Sequence, residues 1–481
     1  MKRSYRYNQL FCKSRLLAIA GVAAVLFSGT SCKKYLTIPL PVNSISADAA
    51  YATDGTTAGV LNNVYYNLQS SFVLNGVSGL GCYSGLYTDE LQTVNTSSGT
   101  LKSFYGNTVT GDNGAGTFWA YLYQQINIAN TTIETMKSSS LPLKDQWMGE
   151  ALFIRGLMYY YLVNIYGDVA LALSSDYIKN GTLSRAPKAD VYKQVLSDLL
   201  QAQGLLSANY LDYSGTVVTD RARPNKAVAT ALLARVYLYL GDWTNAEAQA
   251  NAVIGNNAYA METPDNVFLV KGKENIWGLL PTLGLKYVVA DAAAYQITPG
   301  STPGASQVGA ILSPQLLSSF EPNDTRYTSW VGVSKVGTTN YYYANKYKIK
   351  GTAPATTETL VVLRLAEQYL IRAEAKAQQN NLAGAISDLN VIRTRAGLPG
   401  TTATTQADIL AAIGKERRVE FFTEMGHRFF DLKRTGNIDA VMAVVSPQKG
   451  SNWAPYMQYW PIPLSETQRN PNLKQTSGYQ Q

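Results

Sequence analysis

Histidine and cysteine are nearly absent from this chain, and their scarcity excludes several kinds of site. The single histidine, His427, lies in a helical segment, where a Ser/His/Asp triad or a histidine-rich metal site is hard to assemble. Of the three cysteines, Cys12 and Cys32 lie near the N-terminus and only Cys82 lies farther along. A disulfide framework is therefore not expected in the mature chain, and neither is a metal or another cofactor.

Long apolar runs are also scarce, and the clearest one lies at the N-terminus. Residues 16–27 form an apolar stretch that is too short to span a bilayer stably. Basic residues precede it, and Ser28-Gly-Thr-Ser-Cys32 follows it. This order is typical of a lipoprotein signal peptide, residues 1–31, with Cys32 as the acylated first residue of the mature chain. Several acyl chains on one residue would anchor the protein firmly, since each buried methylene contributes roughly 0.8 kcal/mol.

Charged residues make up only 15% of the chain, and most of the net charge of +8 comes from the N-terminus. Of the 41 basic and 33 acidic residues, five basic ones and no acidic one precede Cys32. The remainder carries 36 basic and 33 acidic residues, a net charge of +3. Nucleic-acid binding requires a clustered basic patch, so no nucleic-acid partner is expected.

Residues 416–434 combine a helical period with dense paired charge. Apolar residues recur there at steps of three and four and so share one helix face: Val419, Phe422, Met425, Phe429 and Leu432. Glu424 lies four residues before Arg428, and Arg428 lies three before Asp431, which is the spacing of ion pairs within a helix. By physical chemistry alone, this segment is a core helix with charged flanks.

The same segment resembles the C-terminal hallmark of the SusD/RagB family of outer-membrane nutrient-binding lipoproteins. It reads Glu-Arg-Arg-x-Glu-Phe and then Glu-x-Gly-His-Arg-Phe-Phe-Asp-Leu-Lys-Arg. Four other segments are similar to further signatures of that family, in the same order: residues 119–130, 150–167, 364–398 and 460–479. The hallmark residues are expected to tie the last helix to its neighbours and not to bind a ligand: Glu416, Arg417, Arg418 and Arg428.

Periodicity elsewhere predicts helical hairpins joined by long insertions. Two helix pairs have small residues on their facing sides, one turning at Gly241-Asp242-Trp243 and the other at Asn380-Asn381. Residues 70–116 and 260–356 are rich in turn-forming residues and indicate loop with short strand. The family resemblance implies the same mostly α architecture, a SusD-like α/α superhelix of tetratricopeptide-like hairpins whose insertions carry the ligand surface.

The predicted domain organisation is a signal peptide followed by one SusD-like domain, residues 32–481. Within that domain, residues 32–260 form an N-terminal part with tetratricopeptide-like helices, and residues 261–356 form a loop-rich insertion. Residues 357–481 form the C-terminal SusD/RagB part. Long loops inside a compact domain are usually functional, so ligand binding is expected in the loops.

Tyrosine is abundant, with 33 residues, and many lie outside the amphipathic helices. Sugar rings present apolar C–H faces on which Tyr and Trp stack, while hydroxyl and amide groups bond to the ring edges. The predicted ligand-binding platform consists of Tyr83, Tyr87, Tyr295, Trp330, Tyr341 and Tyr343. Tyr341 and Tyr343 would share one face if their segment is extended.

The resemblance implies a non-catalytic lipoprotein, anchored in the outer membrane through Cys32 and facing the cell exterior, that binds oligosaccharide or polysaccharide. Its implied partner is a SusC-like TonB-dependent transporter, which it would cap as a lid and supply with glycan for nutrient uptake. Two alternatives stay open. One is peptide binding within the same family, and the other is a periplasmic tetratricopeptide-like assembly scaffold, which would need no ligand loops.

A glycosidase would need only two carboxylates, and Asp89 and Glu90 are the candidates. Adjacent carboxylates point in different directions, and the family has a similar acidic pair at this place without known chemistry. The chain is therefore not expected to be an enzyme.

Overall fold

The computed structural model describes residues 46–70, 73–94, 98–281, 286–303 and 309–480. The predicted signal peptide, residues 1–31, and the predicted lipidation site Cys32 lie outside these residues. The chain divides into two compact units after Ala50. The first unit contributes the single-turn helix α1, Ala47–Ala50. The fold described below is that of the second unit.

The second unit is mostly helical, as predicted. Its helices before residue 260 are α2 (Asp54–Ser70), α3 (Leu80–Tyr87), α4 (Gly99–Tyr105), α5 (Ala115–Lys137), α6 (Lys144–Tyr166), α7 (Tyr177–Asn180), α8 (Lys188–Leu205), α9 (Lys226–Leu240) and α10 (Trp243–Ile254). The later helices are α11 (Ala290–Tyr295), α12 (Pro314–Leu317), α13 (Thr325–Trp330), α14 (Leu365–Gln378), α15 (Leu382–Arg395), α16 (Gln406–Phe421), α17 (His427–Arg434), α18 (Ile438–Gln448) and α19 (Leu464–Arg469), with a 3-10 helix at Pro455–Gln458.

Short strands lie between these helices. They are β1 (Leu91–Thr93), β2 (Val169–Ala170), β3 (Arg185–Ala186), β4 (Asn275–Leu279), β5 (Ala310–Leu312), β6 (Val331–Val336), β7 (Thr339–Ala344) and β8 (Leu360–Arg364). Each belongs to an antiparallel pair: β1 with β5, β2 with β3, β4 with β8, and β6 with β7. The strands are too short to form a layer of their own, so the helices determine the architecture.

The helices pack in a row that follows the chain. α5 packs on α6, α6 on α8, α8 on α9, α9 on α10, α10 on α14, and α14 on α15 and α16. Both predicted hairpins, α9–α10 and α14–α15, are confirmed. Gly241 ends α9 with φ +71°, and the Asp242 side chain then accepts a hydrogen bond from the Asn245 backbone N–H to begin α10. Asn380 (φ +62°) and the capping Asn381 do the same between α14 and α15.

The hallmark segment is broken into two helices, so the prediction of one continuous helix is wrong. α16 ends at Phe421 and α17 begins at His427. Between them, Thr423 (φ +61°), Met425 (φ +45°) and Gly426 (φ +80°) adopt left-handed backbone angles that a helix cannot contain. The residues of the predicted apolar face are nevertheless all buried.

The predicted ion pairs within that helix are also wrong, since each partner reaches another element. Glu424 pairs with Lys346 and Arg364, whereas Arg428 pairs with Asp89. Glu424 lies in the break between α16 and α17 and belongs to neither helix. The charges therefore join elements to one another.

The prediction of loop and short strand for residues 70–116 is wrong in part, because α3 and α4 lie there beside β1. Every residue of α3 is buried. Glycine is required at position 81, where a Cβ atom would lie 2.1 Å from the carbonyl oxygen of Thr423. The glycine-rich composition thus serves close packing of α3 against the turn between α16 and α17.

Candidate ligand-binding surface

The pairing of β1 with β5 brings the two predicted loop regions together. Gln92 lies opposite Ile311 in the register, and the Thr93 hydroxyl donates a hydrogen bond of 3.3 Å to the Gly309 carbonyl oxygen. β1 belongs to the first loop-rich stretch and β5 to the second. A single surface therefore receives residues from both.

The hairpin β6–β7 completes this surface, because β7 packs on β5. Tyr341 and Tyr343 lie on the same face of β7, as predicted, and both contact a small apolar cluster with Ile297 and Ile311. Tyr342 lies on the opposite face, across from Val333. Gln92, Ile311 and Tyr341 are all half-buried and form what is called the loop surface below, whereas Thr93 lies on the opposite face of β1.

Five of the six residues predicted for the aromatic platform are buried: Tyr83, Tyr87, Tyr295, Trp330 and Tyr343. Tyr83 stacks on Phe104 with ring centroids 4.1 Å apart, and the indole N–H of Trp330 donates to the Pro264 carbonyl oxygen at 2.8 Å. Tyr341 alone keeps part of its ring accessible. The structure therefore does not bring the six rings together on one exposed face. Ligand contact by the five buried rings stays a prediction, and it would require their exposure.

Gln92 and Ile311 were not predicted as site residues. Their strands have only three residues each, and a hydrophobic pattern of that length has no diagnostic period. The available signal was the high content of turn-forming residues on both sides, which located the stretches but not their pairing.

A buried network of ion pairs fixes the frame behind this surface. Arg364, at the start of α14, lies 2.9 Å from Glu274, 2.5 Å from Glu420 and 2.9 Å from Glu424. Burial opposes ionisation of Glu420, but the guanidinium groups around it outweigh burial and hold its pKa well below the ordinary range. This network joins the loop-rich insertion to the C-terminal helices.

The ion pairs of the hallmark residues confirm their predicted structural role, whereas the absence of ligand contacts stays a prediction. Glu416 lies 2.6 Å from Arg326, which is itself fully buried. Arg417 pairs with Asp431 at 2.7 Å and so joins α16 to α17. Arg418 and Arg428 both pair with Asp89 on the segment that leads into β1.

Asp89 and Glu90, the two carboxylates considered for hydrolysis, are both held within this packing. Arg428 binds both oxygens of Asp89 at 2.9 and 2.8 Å, and the pKa of Asp89 is lowered because Arg428 and Arg418 outweigh its burial. Burial raises the pKa of Glu90 to about 8, so this carboxyl is largely neutral at pH 7. One carboxylate is thus neutralised by arginine and the other is protonated inside the core.

His427 begins α17 and stacks on Phe421, with ring centroids 4.6 Å apart. Burial holds the pKa of its imidazole well below the ordinary value, so the ring is neutral. Across the described ranges, no group of three or more His, Cys, Asp or Glu side chains is arranged to hold a metal ion. None of the described helices combines the length and apolar character needed to cross a bilayer.

Two protein-family profiles match this chain. The profile of the SusD family matches residues 320–479, and a profile described as starch-binding, associating with outer membrane, matches residues 61–238. The two matches do not overlap, and together they cover most of the described part of the chain.

Individual relatives agree with these profiles. SusD-like protein P2 of Formosa agariphila is 25% identical over 432 residues, which cover 78% of this chain and 83% of that protein. The starch-binding protein SusD of Bacteroides thetaiotaomicron is 33% identical over 153 residues, 31% of this chain and 26% of that protein. The solved structure of a laminarin-binding SusD-like protein superimposes with a TM-score of 0.75 at 23% identity, covering 89% of this chain and all of the other. The predicted SusD-like fold is confirmed.

Proposed function

We propose that this chain, which belongs to the SusD/RagB family of carbohydrate-binding proteins, captures an oligosaccharide on its loop surface and delivers it to an outer-membrane transporter. The family is associated with the outer membrane. SusD-like proteins are binding proteins without catalytic activity, and this membership confirms the prediction that the chain is not an enzyme.

The observation that carries the proposed binding surface is the β1–β5 pairing beside Tyr341. It places a half-buried tyrosine ring next to an apolar side chain, Ile311, whose register partner Gln92 supplies an amide group on the same face. A sugar ring needs this combination, with an apolar face to stack on and polar groups along its edge. The ion pairs behind the surface hold these elements in place and reduce the entropy lost on binding.

The proposed setting is the cell surface. Acylation at Cys32 would anchor the protein to the outer membrane, with the loop surface facing a SusC-like TonB-dependent barrel. Closure of this protein over the barrel as a lid would enclose the glycan between the two, so uptake would depend on a hinge-type motion. The apolar and polar mixture of the loop surface suits a ligand held between two proteins.

Calorimetry with the purified mature protein, residues 33–481, tests the proposal. A panel of neutral oligosaccharides and a peptide mixture are titrated, and the same samples are analysed for cleavage products. We expect saturable binding to an oligosaccharide without cleavage. Peptide binding alone would favour the peptide-binding alternative, and cleaved glycan would contradict the proposal.

The neighbouring tyrosines of β7 provide a matched pair of variants. Tyr341→Ala removes the ring on the loop surface and is expected to weaken oligosaccharide binding about tenfold or more. Tyr342→Ala removes a half-buried ring on the opposite face of the same strand and should leave the affinity within about twofold. Equal losses in both variants would contradict binding on the loop surface.

A further inference from the structure

A cleft of about 1040 Å³ lies among the C-terminal helices, and no loop-surface residue lines it. Its walls come from the α9–α10 turn, α14, α16, α17 and α18, and it is called the helical cleft here. This volume is that of a site for a small molecule or a few sugar units. The ion pairs of the hallmark residues account for how these helices are joined, but they do not account for the open volume between them.

One end of the helical cleft is aromatic and apolar. Trp243 is the first residue of α10, directly after the α9–α10 turn, and is half-buried. The indole N–H has no hydrogen-bond partner among the described residues. Leu240, which is 42% exposed, and Leu410 line the same cleft. These groups offer a flat ring, an adjacent apolar wall and one free donor.

Another part of the wall is cationic. Arg418 and Arg428 both line the cleft and share the single carboxylate of Asp89. Arg428 uses Nε and Nη2 for this contact and Arg418 uses Nη2, so Nη1 of each guanidinium has no hydrogen-bond partner within the described ranges. Glu90 beside them is largely neutral at pH 7, because burial raises its pKa to about 8. Two arginines against one carboxylate leave a net positive charge here, because the other carboxylates of the wall, Glu374 and Asp431, pair with Arg434 and Arg417.

We infer that the helical cleft is a second binding site, which takes a saccharide bearing a carboxylate group. The carboxylate accepts hydrogen bonds from the free Nη1 groups of Arg418 and Arg428, which are charge-assisted and therefore strong. An apolar face of a sugar ring stacks on Trp243. Gln378, which is exposed on the wall, is available to ring hydroxyl groups. This site is separate from the loop surface and does not depend on binding there.

The probe is tetragalacturonate, titrated calorimetrically into the mature protein, and its fully methyl-esterified form is the control with the same rings and no charge. We expect saturable binding of the acid, weakened by added NaCl, and at least tenfold weaker binding of the ester. Equal affinity for acid and ester, or no binding of the acid, overturns the inference. Competition of equal strength by poly-glutamate also overturns it, because the cleft would then recognise charge without the sugar ring.

Position 414 gives a matched pair that leaves the core intact. Gly414 is an exposed residue of α16 that lines the cleft, and a Cβ atom added there meets nothing within 4 Å. Gly414→Glu places a carboxylate one helical turn from Arg418, where it competes with the ligand. We expect this variant to lose at least tenfold in affinity for the acid, whereas Gly414→Ala should bind as the wild type does. Unchanged binding by Gly414→Glu overturns the inference.

Two further variants test the contacts proposed for Trp243 and Arg418, and Tyr341→Ala tests whether the acid binds at the loop surface instead. Trp243→Ala and Arg418→Gln should each weaken acid binding about tenfold. Arg418→Gln leaves Asp89 with its two contacts to Arg428, which preserves the local fold. Tyr341→Ala should leave acid binding unchanged. A loss in Tyr341→Ala with no loss in Trp243→Ala would place the acidic ligand on the loop surface and overturn the second site.

Discussion

Trp330 shows why an aromatic residue in a loop-rich stretch can be a core residue. Its ring is fully buried, the Nζ atom of Lys346 lies 4.7 Å from the ring centroid, and Phe268 packs edge-on at 5.8 Å. Trp330→Ala is expected to lower the free energy of unfolding by about 3–5 kcal/mol, because it leaves a cavity and an unpaired carbonyl at Pro264. Chemical denaturation measures this loss.

The control for Trp330→Ala is Tyr177→Ala, since Tyr177 is 80% exposed. This change should alter the free energy of unfolding by less than about 0.5 kcal/mol. If Trp330→Ala is as mild as Tyr177→Ala, the indole is not held in the core and its predicted role on a binding platform regains support.

Glu90 gives the protein a specific pH dependence. Its pKa of about 8 in the folded protein exceeds the value of about 4.3 for an exposed glutamate, so the folded state binds more protons between these limits. Its contribution to stability is therefore present below about pH 4 and is lost as the pH rises through 8. Glu90→Gln should not show this loss. As the pH rises from 5 to 8, the free energy of unfolding of the variant should therefore increase by about 2–4 kcal/mol relative to that of the wild type.

Denaturation curves at several pH values measure this difference. Asp265→Asn is the control, because that carboxyl is 66% exposed, and it should keep the wild-type pH dependence. Parallel curves for the wild type and Glu90→Gln would contradict the assignment of a neutral buried carboxyl.

At the level of single residues, the sequence identified the right kinds of side chain but not their exposure. Tyr87 and Tyr295 lie in stretches without a helical period, yet both are buried, because α3 and α11 pack inward. Composition records how many aromatic rings exist, whereas burial depends on neighbours that are distant in the chain. Tyr341 remained accessible because it lies toward the turn of the β6–β7 hairpin, whereas Tyr343 lies farther from the turn and is buried.

Among the elements, the contact between α3 and the turn after α16 depends on the absence of a side chain at Gly81. Gly81→Ala places a Cβ atom 2.1 Å from a backbone oxygen that cannot move freely, so we expect a loss of about 2–3 kcal/mol in unfolding free energy. Gly59→Ala in α2 is the matched control. Nothing lies within 4 Å of its added Cβ, and the change should stabilise the helix by up to about 1 kcal/mol.

Thermal or chemical denaturation of the two glycine variants decides between close packing and simple helix propensity. A loss of unfolding free energy in Gly81→Ala together with a gain in Gly59→Ala supports close packing at Gly81. Equal stabilisation by both changes would contradict it.

The elements that the sequence predicted correctly are those with long periodic patterns. The α9–α10 and α14–α15 hairpins each extend over several turns and end in residues with clear capping roles, such as Asp242 and Asn381. The turn between α16 and α17 was missed because two of its residues with positive φ, Thr423 and Met425, rarely adopt such angles, and the single Gly426 lies inside an otherwise helical pattern. The contacts of Glu424 and Lys346 across elements hold this turn in place.

For the whole molecule, the loop surface is a tertiary feature that periodicity could not predict. Leu91 and Leu312 are register partners, although each lies in a different loop-rich stretch. Only the family resemblance indicated that these regions act together. The SusD-like scaffold thus explains why two stretches with little regular structure converge beside Tyr341.

The proposed membrane anchor is a property of the whole molecule and depends on one residue. Cys32→Ser should prevent acylation, since serine lacks the thiol that carries the lipid. We expect the variant to move from the outer-membrane fraction to the soluble fraction, with loss of incorporated labelled fatty acid. Lys33→Ser serves as a control for a change beside the cysteine. Membrane retention of Cys32→Ser would contradict lipid anchoring at this position.

Hydrogen–deuterium exchange of the mature protein, with and without the neutral oligosaccharide that binds best, tests the central claim most directly. The account predicts slower amide exchange on binding at β1, β5 and β7, with the same strands unaffected when that oligosaccharide is added to Tyr341→Ala. Unchanged exchange in these strands at saturating oligosaccharide, or protection confined to other elements, would contradict capture on the loop surface.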